Sequence, residues 1–159
     1  MTVNQTHPEA GSTAVQAPVR LLICDDSIFM RMAIRAICED RPDIEIVGEA
    51  KNGDEAVSLV EALRPDIVTM DIDMPGMNGA SATETIAKRF DTAIIILSGV
   101  RQRRSVIAAR LREMGAVDVI WKSASMMDID IDGITGVIVE KVLHWGRRSA
   151  QARPDPGHA

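Results

Sequence analysis

The chain lacks the features of a membrane or exported protein. No stretch approaches the roughly 18 consecutive apolar residues of a transmembrane helix. The segment from Met1 to Val19 has neither a basic start nor an apolar core, so we predict no signal peptide. The two cysteines, Cys24 and Cys38, stand in apolar contexts without metal-ligand spacing, which favours free buried thiols. We therefore expect a cytoplasmic protein without membrane insertion.

An excess of positive charge is also missing. The formal net charge of −5 argues against general binding of nucleic acid. The 159 residues, 46% hydrophobic and 26% charged, fit one soluble globular domain with tails. Both ends are rich in small, polar or proline residues. We predict disordered tails over residues 1–19 and 147–159 and one folded domain over residues 20–146.

Between these tails, short apolar runs alternate with segments of helical periodicity. The predicted strands are Arg20–Cys24, Ile44–Glu49, Asp66–Met70, Ala93–Leu97 and Val117–Trp121. The predicted helices are Ser27–Glu39, Gly53–Leu63, Ala80–Arg89, Gln102–Met114 and a last helix marked by Ile131, Ile134, Ile138, Val142 and Trp145. In the first helix the apolar face consists of Ile28, Phe29, Met32, Ala36 and Ile37. Five such alternations predict an α/β fold with a parallel sheet covered on both faces.

Polar residues follow four of the five predicted strands. They are Asp25 and Asp26 after the first strand, Asp71 and Asp73 after the third, Ser98 after the fourth and Lys122 after the fifth. In sheets of this kind, ligands bind beyond the carboxyl ends of the strands. We therefore expect these separated residues to meet in one pocket.

Such a pocket suits phosphoryl transfer. Clustered carboxylates repel one another and are costly to hold together without a cation, and Mg²⁺ prefers oxygen ligands. Mg²⁺ and Lys122 together would neutralise the phosphoryl oxygens, which is most of what the reaction needs. A carboxylate such as that of Asp71 can act as the nucleophile and form an aspartyl phosphate.

Each polar residue also has a purely structural interpretation. Acids after a strand often begin a helix, where the helix dipole favours them. Ser98 could be a helix cap, Lys122 a solvated charge, and Asp71 and Asp73 turn residues before Pro75. The joint placement of these residues at strand ends favours the functional interpretation.

Four segments of the chain resemble successive signatures of response-regulator receiver domains. They are LLICDDS, VTMDIDMPGMNG, IILSG and VIWK, in the order and at the spacing of that family. The resemblance covers about Arg20 to Gly146. It implies a flavodoxin-like (βα)5 fold, a doubly wound parallel sheet with strand order 2-1-3-4-5.

The resemblance also implies a metal site. Asp26 and Asp71 would supply side-chain oxygens to Mg²⁺, and Asp73 its backbone carbonyl. Asp25 would hold the metal through water. These four aspartates are the metal ligands that the resemblance predicts.

The same resemblance implies how a phosphoryl group is held. Asp71 would be the phosphoacceptor and become 4-aspartylphosphate. Ser98 would hydrogen-bond the phosphoryl group in the active state. Lys122 would pair with a phosphoryl oxygen and restrain the loops.

A narrower resemblance is to the receiver half of chemotaxis protein-glutamate methylesterases. It rests on DDSIFMR, RPDIEIVGEAKNGDEAV, DIDMPGMNG and GAVDVIWK. The esterase half would need well over a hundred further residues and a serine nucleophile in a glycine-flanked turn. Neither is in this sequence, so we expect no esterase activity and no enzyme beyond the acceptance of a phosphoryl group.

Three residues depart from the family pattern. Ser123 follows Lys122 where the family usually has proline, often after a cis bond. Val119 stands where the family has its switch aromatic, three residues before the lysine. Gly99 follows Ser98 and leaves room above the phosphorylation site. Switching through an aromatic side chain at position 119 is therefore in question.

The sequence as a whole predicts a stand-alone receiver of a two-component phosphorelay. A sensor histidine kinase or phosphotransfer protein would phosphorylate Asp71, and the output would pass through protein contacts or end as a phosphate sink. One alternative is a haloacid-dehalogenase-type phosphatase, which also has an Asp-x-Asp motif, but in that class the nucleophile lies on the first strand. Another is a pseudo-receiver that only binds partners.

The arginine-rich segment Arg101–Arg112 offers a further hypothesis. A run of charges is usually a solvated helix face. The segment could instead be a docking surface for an acidic partner, reshaped by phosphorylation. Reversal of Arg103 and Arg104 to glutamate tests this hypothesis.

Overall fold

A computed structural model of the chain describes residues 15–99, 102–122 and 131–154. Within these ranges it contains one five-stranded parallel sheet with strand order β2-β1-β3-β4-β5, as predicted. The strands are β1 Val19–Cys24, β2 Ile44–Ala50, β3 Ile67–Asp71, β4 Ala93–Ser98 and β5 Asp118–Trp121. The second strand lies at an edge of the sheet, and β3 lies at its centre, between β1 and β4.

Helices cover the sheet on both faces. They are α1 Ile28–Cys38, α2 Gly53–Leu63, α3 Gly79–Arg89, α4 Arg104–Glu113 and α5 Ile131–Ala152. Apolar residues of α2, α3 and α4 share one buried cluster with side chains from one face of the sheet, and residues of α1 and α5 share a second cluster on the other face. The doubly wound architecture is therefore confirmed. No helix in the described part of the chain is long and apolar enough to cross a membrane.

Local sequence explains where these elements begin and end. Ser27, Asn52 and Asn78 each cap a helix by accepting a hydrogen bond from a backbone N–H three residues on. Arg64 ends α2 in a left-handed conformation, with φ of 48°, immediately before Pro65. Every residue of β4 is buried, in keeping with its place inside a sheet covered on both faces.

The buried face of α1 differs from the predicted one. Ile28, Phe29 and Met32 are 56%, 77% and 59% exposed. The buried residues of the helix are Arg31, Ile34 and Cys38. These three residues follow the i, i+3, i+7 spacing of a core-facing stripe, and its first position is charged. The apolar residues at positions 28, 29 and 32 therefore form an exposed patch.

The C-terminal boundary of the domain also differs from the prediction. A disordered tail over residues 147–159 was expected, but α5 continues to Ala152. Ser149 donates a hydrogen bond from Oγ to the carbonyl of Asp91 at 2.7 Å. Arg153 lies 3.1 Å from Oδ1 of the buried Asp66 and donates to the carbonyl of Arg64 at 3.0 Å. These contacts hold the last two turns of the helix against the amino-terminal edge of the sheet.

Smaller differences concern α4 and the ends of the chain. The fourth helix begins at Arg104 rather than at Gln102, because Arg103 is left-handed with φ of 55°. Most of the predicted N-terminal tail, the last residues of the C-terminal tail, Arg101, and Ser123 with its bond to Lys122 lie outside the described residues. The two cysteines, Cys24 and Cys38, are buried and free, as predicted.

Candidate functional site

The carboxyl ends of the central strands bring two buried aspartates to one lysine. Asp25 follows β1 and is 1% exposed, and Asp71 ends β3 and is 5% exposed. Nζ of Lys122, just after β5, lies 3.1 Å from Oδ2 of Asp25 and 3.3 Å from Oδ1 of Asp71. These three residues are separated by up to 97 positions in sequence. Folding therefore gathers them as the sequence predicted.

Burial and two neighbouring charges together set the pKa of the Asp71 carboxyl group. Burial raises its pKa from 3.8 to about 6, Lys122 opposes that rise, and the nearby Asp25 adds to it. Burial opposes the charge of Lys122 as well, but the two carboxylates outweigh it and raise the pKa of the ammonium group. Near neutral pH the site therefore combines an ionised Asp71 with a charged Lys122.

Only one oxygen of Asp71 is committed to hydrogen bonds among the described residues. Oδ1 accepts from Nζ of Lys122 and, at 3.4 Å, from the backbone N–H of Asp73. No hydrogen bond to the described residues involves Oδ2. Asp71 can therefore offer one oxygen to an electrophile while the other stays held by the protein.

A third carboxylate completes an acidic cluster. One carboxylate oxygen from each of Asp25, Asp26 and Asp71 lies within 4.8 Å of the others. Asp26 is exposed, unlike its two buried neighbours, so one side of the cluster is open to water. One ammonium group faces three acids, which leaves negative charge to be compensated. This donor set fits a hard divalent cation such as Mg²⁺, which prefers oxygen ligands and retains several waters.

The remaining predicted residues lie beside this cluster. Ser98 ends β4 and is fully buried. Its carbonyl accepts a hydrogen bond from the backbone N–H of Lys122 at 2.7 Å, which ties the end of β4 to the start of the loop after β5. Asp73 is exposed, and its contact with Asp71 is through the backbone. The described residues thus bring all six predicted positions to one edge of the sheet.

The loop after Asp71 depends on a glycine that sequence reasoning did not single out. A Cβ at Gly79 would lie 1.9 Å from the carbonyl oxygen of Asp71. The N–H of Gly79 also donates to the carbonyl of Ile72 at 3.1 Å. Only glycine lets α3 begin this close to the backbone of Asp71. The signal in the sequence was the Asn-Gly pair at positions 78 and 79, a cap followed by a residue without a side chain.

Arg31 is a second residue that sequence reasoning missed. Its Nη1 donates to the carbonyl oxygen of Asp25 at 2.8 Å, although its side chain is only 8% exposed. The available signal was its spacing to Ile34 and Cys38, which places a charge on the buried stripe of α1. Arg31 thus contacts the backbone of the acidic cluster from inside the protein.

One departure from the family pattern, Val119, lies on the same face of β5 as Trp121. Val119 is 8% exposed and belongs to the cluster under α2, α3 and α4, and Trp121 packs against the same cluster. The guanidinium carbon of Arg104, at the start of α4, lies 5.4 Å from the centroid of the Trp121 ring. An aromatic residue therefore faces α4 two positions nearer to Lys122 than the family pattern places it.

The fold and site together define a doubly wound α/β domain with an acidic cluster and a lysine at the carboxyl edge of its sheet. Residues 21–131, more than half of the chain, match the family model of the response regulator receiver domain. The chain belongs to the response regulator receiver family.

Curated relatives include the protein-glutamate methylesterases/protein-glutamine glutaminases. The one from Pyrococcus horikoshii is 36% identical over 124 residues, which are 78% of this chain and 34% of that protein. One from Methanosarcina acetivorans is 45% identical over 112 residues, which are 70% of this chain and 32% of that protein. The chain thus spans about a third of the length of these relatives.

Solved structures agree with this assignment. The response regulator domain of Thermotoga maritima CheB is similar with a TM-score of 0.74 and 35% identity, over 86% of this chain and 99% of that one. A chain in the complex of the P1 domain of CheA3 with CheY6 from R. sphaeroides is similar with a TM-score of 0.65 and 29% identity, over 81% of this chain and 99% of that one. The predicted kinship to methylesterase receivers is confirmed.

Proposed function

We propose that this receiver accepts a phosphoryl group on Asp71 from a histidine kinase or phosphotransfer protein, with Mg²⁺ as cofactor. The observation that carries the proposal is the pairing of Asp71 with Lys122 beside the acidic cluster. Asp25, Asp26 and Asp71, with the backbone of Asp73, would hold the ion. When bound, Mg²⁺ would compensate the acids and the charge on the incoming phosphoryl oxygens.

The residues of the chain perform the other parts of the transfer. Oδ2 of Asp71, which makes no hydrogen bond to the described residues, attacks phosphorus in line with the P–N bond of a phosphohistidine donor. That bond breaks, and the imidazole nitrogen keeps the electron pair and takes a proton from solvent. Lys122 neutralises a phosphoryl oxygen, and the hydroxyl of Ser98 donates to another. The product is an acyl phosphate on Asp71.

The exposed patch on α1, formed by Ile28, Phe29 and Met32, supports a protein rather than a small molecule as the donor. It begins two residues after Asp26, so a carrier that covers it also covers the mouth of the site. Exposed apolar side chains clustered in this way are typical of protein interfaces. We assign this patch to the docking of the phosphodonor protein.

The output of the domain would pass through protein contacts, or the domain would serve as a phosphate sink. Arg103, just before α4, and the arginines of α4 are exposed, in keeping with either a solvated face or an acidic partner. Reversal of Arg103 and Arg104 to glutamate should weaken the binding of an acidic partner. Unchanged binding would contradict the docking hypothesis.

Buried free thiols at Cys24 and Cys38 suit the reducing cytoplasm.

Intact mass after incubation with acetyl phosphate and Mg²⁺ tests the central proposal. We expect one added phosphoryl group that is lost in alkali, and none on Asp71→Asn. Steady hydrolysis of a generic phosphate ester would favour a phosphatase of the haloacid-dehalogenase type instead. An unmodified wild-type protein would favour a pseudo-receiver, and the same addition on Asp71→Asn would exclude Asp71 as the acceptor.

A further inference from the structure

Arg31 makes a contact that places it behind the acidic cluster. Nη1 donates to the carbonyl oxygen of Asp25 at 2.8 Å, and that carbonyl belongs to the peptide that links Asp25 to Asp26. A charge-assisted hydrogen bond of this length is stronger than one between neutral groups. The guanidinium therefore fixes the peptide between two of the three clustered acids.

Other contacts fix the remaining atoms of Asp25. Its N–H donates to the carbonyl of Ala50 at 3.1 Å. Oδ1 accepts from the N–H of Ser27 at 2.9 Å, and Oδ2 lies 3.1 Å from Nζ of Lys122. In the described part of the chain, the carbonyl of Asp25 accepts a hydrogen bond from Arg31 only. Loss of that bond would free the peptide between Asp25 and Asp26 and leave the other contacts of Asp25 in place.

Arg31 is itself held in place by an ion-pair network. Nε lies 3.4 Å from Oε2 of Glu49, near the end of β2. Arg35, one turn further along α1, binds the other oxygen of Glu49, with Nη2 2.6 Å from Oε1. Glu49 compensates the buried charge of Arg31, and it orients the fork of the guanidinium toward Asp25. A buried charge so closely paired is costly to rearrange.

We propose that Arg31, oriented by Glu49, is a positioning residue that sets the separation of the Asp25 and Asp26 carboxylates and thereby the affinity of the site for a divalent cation. Arg31 does not touch the cation or the phosphoryl group. It acts through the Asp25 carbonyl, in the way that groups behind metal ligands commonly tune affinity by 10–100-fold. This inference rests on the proposed function, because it assumes that the acidic cluster binds Mg²⁺.

The neighbouring arginine offers a matched control. Arg35 binds the same carboxylate of Glu49 but forms no hydrogen bond or ion pair with Asp25, and its side chain is 42% exposed. If the network only joins α1 to β2, then Arg31→Gln and Arg35→Gln should act alike on the site. If the contact with Asp25 positions the acids, only Arg31→Gln should change cation binding.

Calorimetric titration with Mg²⁺ alone is the primary measurement, on the full chain. We expect Arg31→Gln to raise the Kd for Mg²⁺ at least about tenfold, and Arg35→Gln to change it less than about twofold. Arg31→Lys keeps the charge without the fork and should lie between them. In a metal-free sample, the backbone amide signal of Asp26 should shift in Arg31→Gln and not in Arg35→Gln.

The kinetics of phosphorylation by acetyl phosphate provide a second measurement. In Arg31→Gln the Mg²⁺ concentration for half-maximal rate should rise in parallel with the Kd, and the rate at saturating Mg²⁺ should stay within about threefold of wild type. Urea unfolding checks that each variant is folded. If Arg31→Gln does not fold, Glu49→Gln, which releases the guanidinium, replaces it and should raise the Kd in the same way.

The outcomes separate this inference from the proposed function. A wild-type protein that binds no Mg²⁺ would remove the function from which the inference starts. A wild type that binds Mg²⁺, with equal Kd values in folded Arg31→Gln, would overturn the role of Arg31 alone. Equal losses in Arg31→Gln and Arg35→Gln would likewise overturn it, since they would show a general effect of the network.

Discussion

Nζ of Lys122 lies 3.3 Å from Oδ1 of Asp71, although Asp71 ends β3, Lys122 follows β5, and β4 lies between these two strands in the sheet. The same ammonium group reaches Asp25 at 3.1 Å. One cation thus serves two buried carboxylates, and burial still raises the pKa of Asp71 to about 6. Ionisation of Asp71 is therefore opposed by its burial even in the presence of Lys122.

The first prediction concerns the pH dependence of stability. Asp71 binds its proton more tightly in the folded chain, with a pKa of about 6 against an ordinary 3.8. Its contribution to the free energy of unfolding is therefore fully present below about pH 3.8 and lost as the pH rises through 6. Asp71→Asn has no carboxyl group to titrate at this position. The free energy of unfolding of Asp71→Asn minus that of wild type should therefore be about 2–3 kcal/mol larger at pH 7.5 than at pH 4. Urea unfolding in EDTA at both values measures the change.

A matched variant makes this prediction specific. Asp73→Asn alters a neighbouring carboxylate that is exposed and forms no ion pair with Lys122 in the described residues, so it should not reproduce the pH-dependent gain of Asp71→Asn. A constant difference between Asp71→Asn and wild type would mean that the buried carboxyl is not the group that titrates.

The second prediction concerns the cation. Asp26 is exposed and is one of three clustered acids, so Asp26→Asn should not lower the free energy of unfolding in EDTA. Saturating Mg²⁺ should raise the Tm of the wild type, because a ligand that binds only the folded state adds about 2.7 kcal/mol at a hundred times its Kd. Asp26→Asn should lose most of that rise. Asp73→Asn should keep it, since Asp73 is expected to contribute its backbone carbonyl, and a loss there would contradict that role.

The third prediction concerns the glycine beside Asp71. A Cβ at Gly79 would lie 1.9 Å from the Asp71 carbonyl oxygen, and backbone cannot move away cheaply. Gly79→Ala should therefore lower the free energy of unfolding by about 1–3 kcal/mol or more. A Cβ at Gly136, in α5, would meet no described atom within 4 Å apart from its chain neighbours and its own helix backbone. Gly136→Ala should instead add about 0.5–1 kcal/mol. Urea unfolding of both variants measures the contrast, and equal signs would contradict it.

The fourth prediction concerns Trp121 and α4. Arg104 lies 5.4 Å from the Trp121 ring centroid, a contact worth about 0.5–1 kcal/mol at an exposed site. In a Trp145→Phe background, Trp121 is the only tryptophan. If the loop before α4 rearranges on phosphorylation, Trp121 fluorescence should change with acetyl phosphate and Mg²⁺, and Arg104→Gln should abolish most of that change.

Arg148 is the control for this experiment. Its guanidinium carbon lies 5.5 Å from the Trp145 ring centroid, at the opposite end of α5 from the site. Arg148→Gln should leave the response of Trp121 unchanged in the same background. An equal response in the Trp145→Phe protein and in its Arg104→Gln and Arg148→Gln derivatives would mean that the contact between Arg104 and Trp121 does not follow the state of Asp71.

Much of the fold and of the acidic site could be predicted from sequence for one physical reason. Buried parallel strands read as short apolar runs, and their carboxyl ends meet at one edge, so residues such as Asp25 and Asp71 could be placed together without coordinates. The strand order followed from the family resemblance. Neither inference needed the packing of individual side chains.

What the sequence did not predict depended on such packing. A charged residue on α1 reads as exposed, yet Arg31 is buried because Glu49 and the Asp25 carbonyl satisfy it. The apolar residues beside it, Ile28, Phe29 and Met32, are predicted to face the core from local periodicity, yet they are exposed. The polar composition after residue 147 predicts a disordered tail, yet α5 continues to Ala152. The ion pair between Arg153 and the buried Asp66 stabilises this end of the helix. Local periodicity encodes neither the long-range partners of Arg31 and Arg153 nor the exposure of the apolar residues on α1.

The last prediction concerns the exposed patch on α1. Phe29 is 77% exposed, and nothing in the described chain covers it. Exposure of so large an aromatic side chain to water is unfavourable and is typical of an interaction site. If this patch receives the phosphodonor protein, Phe29→Ser should slow phosphoryl transfer from a phosphorylated histidine phosphotransfer domain by about tenfold, because an aromatic anchor in an interface is commonly worth at least 1–2 kcal/mol. Transfer from acetyl phosphate should be unchanged, since that donor needs only the acidic cluster and Lys122.

The comparison of the two donors makes this test decisive. Val106, on α4, is also apolar and 57% exposed, so Val106→Ser is a control of similar chemistry on another face. Purified variants would be mixed with each donor, and the rate of phosphoryl gain followed by intact mass. Slower transfer from both donors would indicate damage to the site itself. Equal rates for Phe29→Ser and wild type with the protein donor would remove α1 as its docking surface.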